Sequence, residues 1–173
     1  SFKHALTQDV VYAGVLERRR RTYHAAAGRG LEDLYAGRVD DVVELIAYHF
    51  GRSAEAEKAV DYTILAAEKA QRRWATTEAL AFFEDALKRL EPMPDTKPNR
   101  LRRIDAVVKQ AEIKFALGRH AEHIKILEAI QTLVDETADP PRIAAWYFWT
   151  GFLHSMTGAP PDIPIGYCHR AIE

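Results

Sequence analysis

The stretch Ala66-Ala67-Glu68-Lys69-Ala70-Gln71-Arg72-Arg73-Trp74-Ala75-Thr76-Thr77-Glu78-Ala79-Leu80-Ala81-Phe82-Phe83-Glu84-Asp85-Ala86-Leu87, closing at Pro92, decides the fold class. Its apolar residues, with those just before it, recur every three or four positions: Val60, Ile64, Leu65 and Ala67, then Leu80, Phe83, Ala86, Leu87 and Leu90. That period lines one face of a helix, and the spacing predicts amphipathic helices over 54–73 and 76–91. Small residues and one aromatic also stand at fixed offsets, with eleven residues between Ala67 and Ala79, three between Ala79 and Phe83, and two between Phe83 and Ala86.

The same period runs outward in both directions. Val42, Val43, Ile46, Ala47 and Phe50 carry it upstream; Ile104, Val107, Val108, Ala111 and Phe115, then Ile124, Leu127, Ile130 and Leu133, carry it downstream. No convincing alternation of period two accompanies it, so the chain is expected to be all-α. Further helices are placed at 5–16, 17–36, 40–51, 99–117, 120–137, 141–157 and from 162 onward. Gly37, Gly51, Gly118 and Gly158 fall just past periodic segments, as helix C-caps do. Asp139-Pro140-Pro141 and Ala159-Pro160-Pro161 break the chain between helices, and the loop at 91–98 is the longest connector.

The offsets of Ala67, Ala79, Phe83, Ala86 and Pro92 resemble the tetratricopeptide repeat. Ala47, Ala59 and Ala66 repeat part of the pattern; Ala111, Gly118 and Leu127, and then Gly151 and Gly158, fit it more loosely, while His123 and Ile130 stand where small residues are expected. The resemblance implies antiparallel helix pairs over 37–173, stacked as a right-handed superhelix, with Ala67, Ala79, Phe83, Ala86, Ala111, Gly118 and Gly151 at the close crossings. An irregular helical bundle is the alternative.

Length and composition set outer bounds. At 173 residues the chain has one domain's worth of sequence, and 24 basic against 25 acidic residues leave no global field to gather nucleic acid or anionic lipid. A single cysteine, Cys168, rules out an internal disulfide framework and fits a reducing, cytoplasmic setting. The charge is nonetheless segregated: residues 1–38 carry seven basic to four acidic side chains, residues 39–91 seven to eleven.

Residues 1–36 do not fit the repeat. Phe2, His4, Ala5, Leu6, Gln8, Asp9 and Tyr12, followed by Val15-Leu16, Arg18-Arg19-Arg20-Arg21 and Tyr23-His24, resemble the segment that follows the nucleotidase module of bacterial STAND-type signalling ATPases and leads into tetratricopeptide repeats. In that family the segment closes a winged-helix-like region. The next stretch, including Ala47-Tyr48-His49-Phe50 and Glu78-Ala79-Leu80, is similar to those members that begin with a class III adenylate/guanylate cyclase domain. The resemblance implies a cyclase–ATPase–repeat parent of which this chain is a C-terminal portion, cut within its last helical pattern. LuxR/MalT-like transcriptional activators share the arrangement and remain an alternative.

Chemistry of the chain's own is not expected. No glycine precedes a lysine, so no phosphate-cradling P-loop occurs, and no strand pattern could hold cyclase aspartates. His120 and His123 lie three apart near Glu122, too little to define a metal site without a third fixed ligand. The chain is thus expected to be a non-enzyme without metal or cofactor. Arg18–Arg21 could contact nucleic acid or the parent's ATPase domain, but consecutive helical residues point in four directions and only Tyr23 is a nearby aromatic; ion pairs with Glu17, Glu32 and Asp33 are the plainer expectation.

In repeats of this kind the first helix of each pair lines an inner face. Counting from the small residues places Asp41, Glu44 and Tyr48; Asp61, Ile64, Glu68 and Arg72; Asp105, Val108 and Glu112; and Phe148, Phe152 and Met156 along it. The expected occupant is a helix or extended peptide with basic and apolar side chains. Trp146-Tyr147-Phe148-Trp149 and Phe152 form an aromatic cluster that either meets a following repeat or drives self-association.

Overall fold

The computed structural model describes residues 16–172. The resemblance carried by Phe2, His4, Ala5, Leu6, Gln8, Asp9 and Tyr12, and the helix expected over 5–16, lie outside the described residues apart from Leu16. Among the described residues the chain is helical without strands: α1 (Glu17–Leu34), a 3-10 turn (Val39–Asp41), α2 (Val43–Phe50), α3 (Ala56–Arg72), α4 (Thr76–Leu90), α5 (Lys97–Val108), α6 (Gln110–Ala116), α7 (His120–Ala129), α8 (Gln131–Thr137), α9 (Pro140–Met156) and α10 (Asp162–Ile172). Two compact units divide within α3, between Ala66 and Ala67.

In the first unit α1 packs on α2, and Ile46, Phe50 and Ala59 form a core closed by Leu31, Val39, Val42 and Tyr62. Gly28 is what lets the Phe50 ring lie on α1, since a Cβ there would stand 2.9 Å from the ring. Arg29 pairs with Glu55 and Glu32 with Lys58, each 26 residues on, so α1 and the start of α3 run parallel.

The second unit is built on Ile104, Val107, Val108, Ala111, Ile124, Leu127, Val134, Trp146 and Leu153. Burying the Trp146 ring completely removes its N–H from water, and that group donates to the Leu127 carbonyl at 2.9 Å. Lys114 meets Glu122 at 2.7 Å and Arg100 meets Glu136 at 2.8 Å, pairs whose positions converge as the chain advances, so α5–α6 and α7–α8 form an antiparallel hairpin. The helices expected over 99–117 and 120–137 each break once, at Lys109 and Ile130. Lys109 keeps helical angles and bonds to Asp105, whereas the Ile130 N–H turns to the Leu127 carbonyl three residues back. Pro98 and Pro140 open helices rather than merely ending them: each sits in a first turn, where its missing N–H costs no bond, behind a capping Thr96 or Asp139 side chain.

Three helices of this unit finish alike. Trp74, Gly118 and Gly158 take left-handed φ of 58°, 68° and 73°, and the next N–H of each reaches back to Ala70, Lys114 or His154. That is the Schellman closure, which suits glycine because a Cβ is strained there. Seven residues before each of them stand Ala67, Ala111 and Gly151, all buried. Gly51 differs from the expected pattern, ending α2 in ordinary right-handed conformation with φ −60°.

Candidate interaction face

Helices α3, α5–α6 and α9 lie side by side in the second unit, and their contacts fix their direction. Glu68 meets Lys109 and Gln71 meets Glu112, both 41 residues apart. Arg142 meets Asp105 across 37 residues, and Phe152 reaches Phe115 at the same separation. Constant separation means parallel helices, and each parallel neighbour leaves a furrow.

Two cavities occupy these furrows. One, of about 410 Å³, is lined by Glu68, Gln71, Arg72, Trp74, Lys109 and Glu112. The other, of about 330 Å³, is walled by Ile104, Val108, Pro141, Ala145 and Trp149, with Asp105, Lys109 and Arg142 at its edge. Lys109 belongs to both. An aromatic ladder extends the face: Phe115 stands edge-on to Phe152 at 5.1 Å, and Phe152 stacks with Phe148 at 6.0 Å and meets Trp149 at 5.8 Å.

The carboxylates of this face are largely spoken for. Arg142 donates to both Asp105 oxygens, at 2.6 and 2.9 Å, and to Asp139 at 3.0 Å; the Asp105 carboxylate chiefly raises the guanidinium's pKa and keeps it charged. Glu68 holds Lys109 and Glu112 accepts from Gln71. The acidic groove expected from the sequence is, in this unit, a wall in which Glu68 and Asp105 are paired with cations and Glu112 is held by an amide, around apolar floors, and its attraction for basic side chains is correspondingly reduced.

Of the anticipated groove residues, Glu68, Arg72, Asp105, Val108 and Glu112 line the cavities, and Phe152 joins the exposed Phe148 and Met156 on the outer part of α9. Glu44, Tyr48, Asp61 and Ile64 belong to the first unit, where Ile64 is a core residue that offers no side chain to a partner. Ala67, Ala79, Phe83, Ala86, Ala111 and Gly151 are buried; Gly118 is exposed and acts through its backbone angle. The aromatic cluster splits: Trp146 is core, and Tyr147 packs with Tyr167 of α10.

Trp74, Lys109 and Arg142 line the cavities although counting does not place them on the inner face, and Trp149 does so as a member of the aromatic cluster. Trp74 had a signal, the seven-residue step from Ala67 that Ala111 and Gly151 make to glycines. It is 79% exposed and left-handed, a costly way to display a large apolar ring.

The two histidines of α7 diverge. His120 stacks on Phe115, while His123 is wholly buried and its ring nitrogens make no hydrogen bond of acceptable geometry. Burial first, and Lys114 second, push the His123 pKa down to about 4, against weaker support for the charged form from the Val107 backbone and Glu122. Among the described residues no group of three or more His, Cys, Asp or Glu side chains could hold a metal ion. Glu32, expected beside the arginine run, is engaged by Lys58 and Tyr62, while Glu17 does pair with Arg21. No described helix is long and apolar enough to cross a membrane.

The chain matches no protein-family model, no curated protein and no solved structure.

Proposed function

We propose that the chain is a helical-repeat interaction module that takes a peptide segment on the α3, α5–α6 and α9 face of its second unit. The observation that carries the reading is the pair of furrow cavities joined at Lys109, each with a tryptophan in its wall. Parallel helices at near-constant separation, closed by the same left-handed turn and crossing at small residues, are what a tetratricopeptide-like stack requires, and they support that finer description of the fold. Because the face's carboxylates already hold cations or an amide, apolar side chains of the partner supply most of the binding, with Trp149, Ala145 and Val108 receiving one of them.

In this reading the module is non-catalytic and regulates a larger signalling protein. A cyclase- or ATPase-containing parent rests on the resemblance of Phe2–His24 and of the repeats, and a LuxR/MalT-like parent on the same arrangement.

Peptides selected from a random display library against the whole chain provide the test. Selected peptides should share an apolar anchor and lose about tenfold or more in affinity on Trp149→Ala or Phe152→Ala, as central interface residues do. Selected peptides whose affinity ignores both substitutions would place binding elsewhere and sink the proposal.

A further inference from the structure

The furrow cavity at the end of α3 sets an aromatic face beside a carboxylate that no cation holds. Glu68, Gln71, Arg72, Trp74, Lys109 and Glu112 line it, all within the second unit. Lys109 donates to Glu68, and the Gln71 amide Nε2 donates to Oε2 of Glu112. The two contacts differ in charge. Lys109 and Glu68 cancel, whereas a neutral amide leaves the Glu112 charge in place, on an exposed side chain whose Oε1 takes no hydrogen bond from any described residue.

Trp74 supplies the aromatic face. Its ring is exposed at the rim, at a left-handed backbone position that Gly118 and Gly158 fill in the matching turns. Among the described residues no ring or cation stacks on it. The face of an indole is electron-rich and attracts a cation, so ring and carboxylate select the same kind of guest, and an acidic side chain is turned away by both. A guanidinium suits the pair better than an ammonium does, because it lies flat on a ring while the N–H groups at its edge reach a carboxylate.

We infer that this cavity is the subsite for an arginine side chain of the peptide taken by the interaction face, stacked on Trp74 and donating to Glu112. The inference rests on that reading of the face and adds the chemistry of a second contact. Arg72, the other cation on the wall, opposes the guest, so the arginine gives selectivity while the apolar anchor gives most of the affinity.

The helices fix where the arginine stands in the peptide. The anchor cavity, at Ile104, Asp105 and Val108, and the arginine cavity, at Glu112, lie in successive furrows, about 10 Å apart by the usual helix spacing. Along α5–α6 they are offset by about four residues, or about 6 Å, which makes the separation about 12 Å. An extended segment rises about 3.3 Å per residue and turns alternate side chains the same way, so residues four apart, spanning about 13 Å, reach both cavities.

Peptides selected from a random display library against the whole chain should carry an arginine at that spacing from the apolar anchor. Replacing the arginine by alanine or by neutral citrulline should weaken binding about tenfold, and replacing it by lysine should weaken it less. Trp74→Ala and Glu112→Gln, each with native circular dichroism, should also cost about tenfold, and in Glu112→Gln the change to citrulline should cost almost nothing more. Arg72→Gln should not weaken the complex. Peptides that depend on Trp149 but share no arginine, or an arginine whose loss costs as much in Glu112→Gln as in the unsubstituted chain, would overturn the subsite and leave the face standing. A shared aspartate or glutamate whose contribution disappears in Arg72→Gln would reverse the sign of the subsite and overturn it as well. Peptides indifferent to both Trp149→Ala and Phe152→Ala would overturn face and subsite together.

Discussion

Arg142 grips Asp105 with two parallel N–H donors, at 2.6 and 2.9 Å, and so ties α9 to α5 across 37 residues of chain. Both side chains are about three-quarters buried and Asp139 accepts from the same guanidinium at 3.0 Å, so removing either partner strands a charge beside an apolar cavity. Arg142→Ala and Asp105→Ala should each destabilise the chain by about 1–2 kcal/mol, above the range of an exposed pair. Arg142→Lys should recover less than half, because an ammonium cannot make the two-pronged contact. Urea unfolding midpoints measure this, and a loss indistinguishable from that of a surface pair would show that the tie is not structural.

His123 makes stability depend on pH. Its folded pKa of about 4 lies below the ordinary imidazole value of 6.5, chiefly because the neutral ring is wholly buried and Lys114 stands near. As pH falls through 6.5 the unfolded chain takes up a proton that the folded chain refuses, so stability present above that value drains away until about pH 4. The loss is on the order of 3 kcal/mol over the window. His123→Leu should flatten this part of the profile and raise stability near pH 5, read from denaturation midpoints across the range. A profile as steep in the leucine variant as in the parent chain would assign the acid sensitivity to other groups.

Helix positions were legible because each face-burying stripe keeps one period and most breaks have a glycine or proline to mark them, the turns at Trp74, Lys109 and Ile130 excepted. The division of α5 from α6 was not, since Lys109 lies inside an unbroken periodic run and keeps helical angles and the four-residue bond to Asp105. Charge pairing was illegible for a related reason: sequence shows that Glu68, Asp105 and Glu112 share a face, but the cations and the amide that hold them sit about forty residues away along the chain, on neighbouring helices. Counting places Ile64 on the face, whereas the same stripe also supplies core residues and Ile64 is one of them.

Two helix-interior glycines should respond in opposite directions. A Cβ at Gly151 would lie 2.7 Å from the Tyr167 Cβ and 3.1 Å from the Pro164 carbonyl oxygen, so α9 and α10 touch only because the residue is glycine. Gly151→Ala should cost about 1–3 kcal/mol and loosen α10, seen as faster amide exchange over 162–172. Gly30, within α1, meets nothing inside 4 Å, so Gly30→Ala should stabilise by about 0.5–1 kcal/mol through helix propensity. Equal effects of the two would refute the close-contact argument.

Trp74 offers the sharpest separation of stability from function. It occupies the left-handed closing position that Gly118 and Gly158 fill at the ends of α6 and α9, and its ring stands exposed at the rim of the cavity formed with Glu68, Gln71, Arg72, Lys109 and Glu112. A side chain at this backbone angle costs about 1 kcal/mol that glycine does not incur. Trp74→Gly should therefore raise stability by about 0.5–1 kcal/mol while weakening peptides selected for the interaction face by about tenfold. Trp74→Ala separates the causes: it removes the ring but keeps the strained angle, so binding should fall as far with no gain in stability. If Trp74→Gly stabilised the chain and left peptide affinity unchanged, the ring would be an accident of the turn and the cavity beside it would not belong to the face.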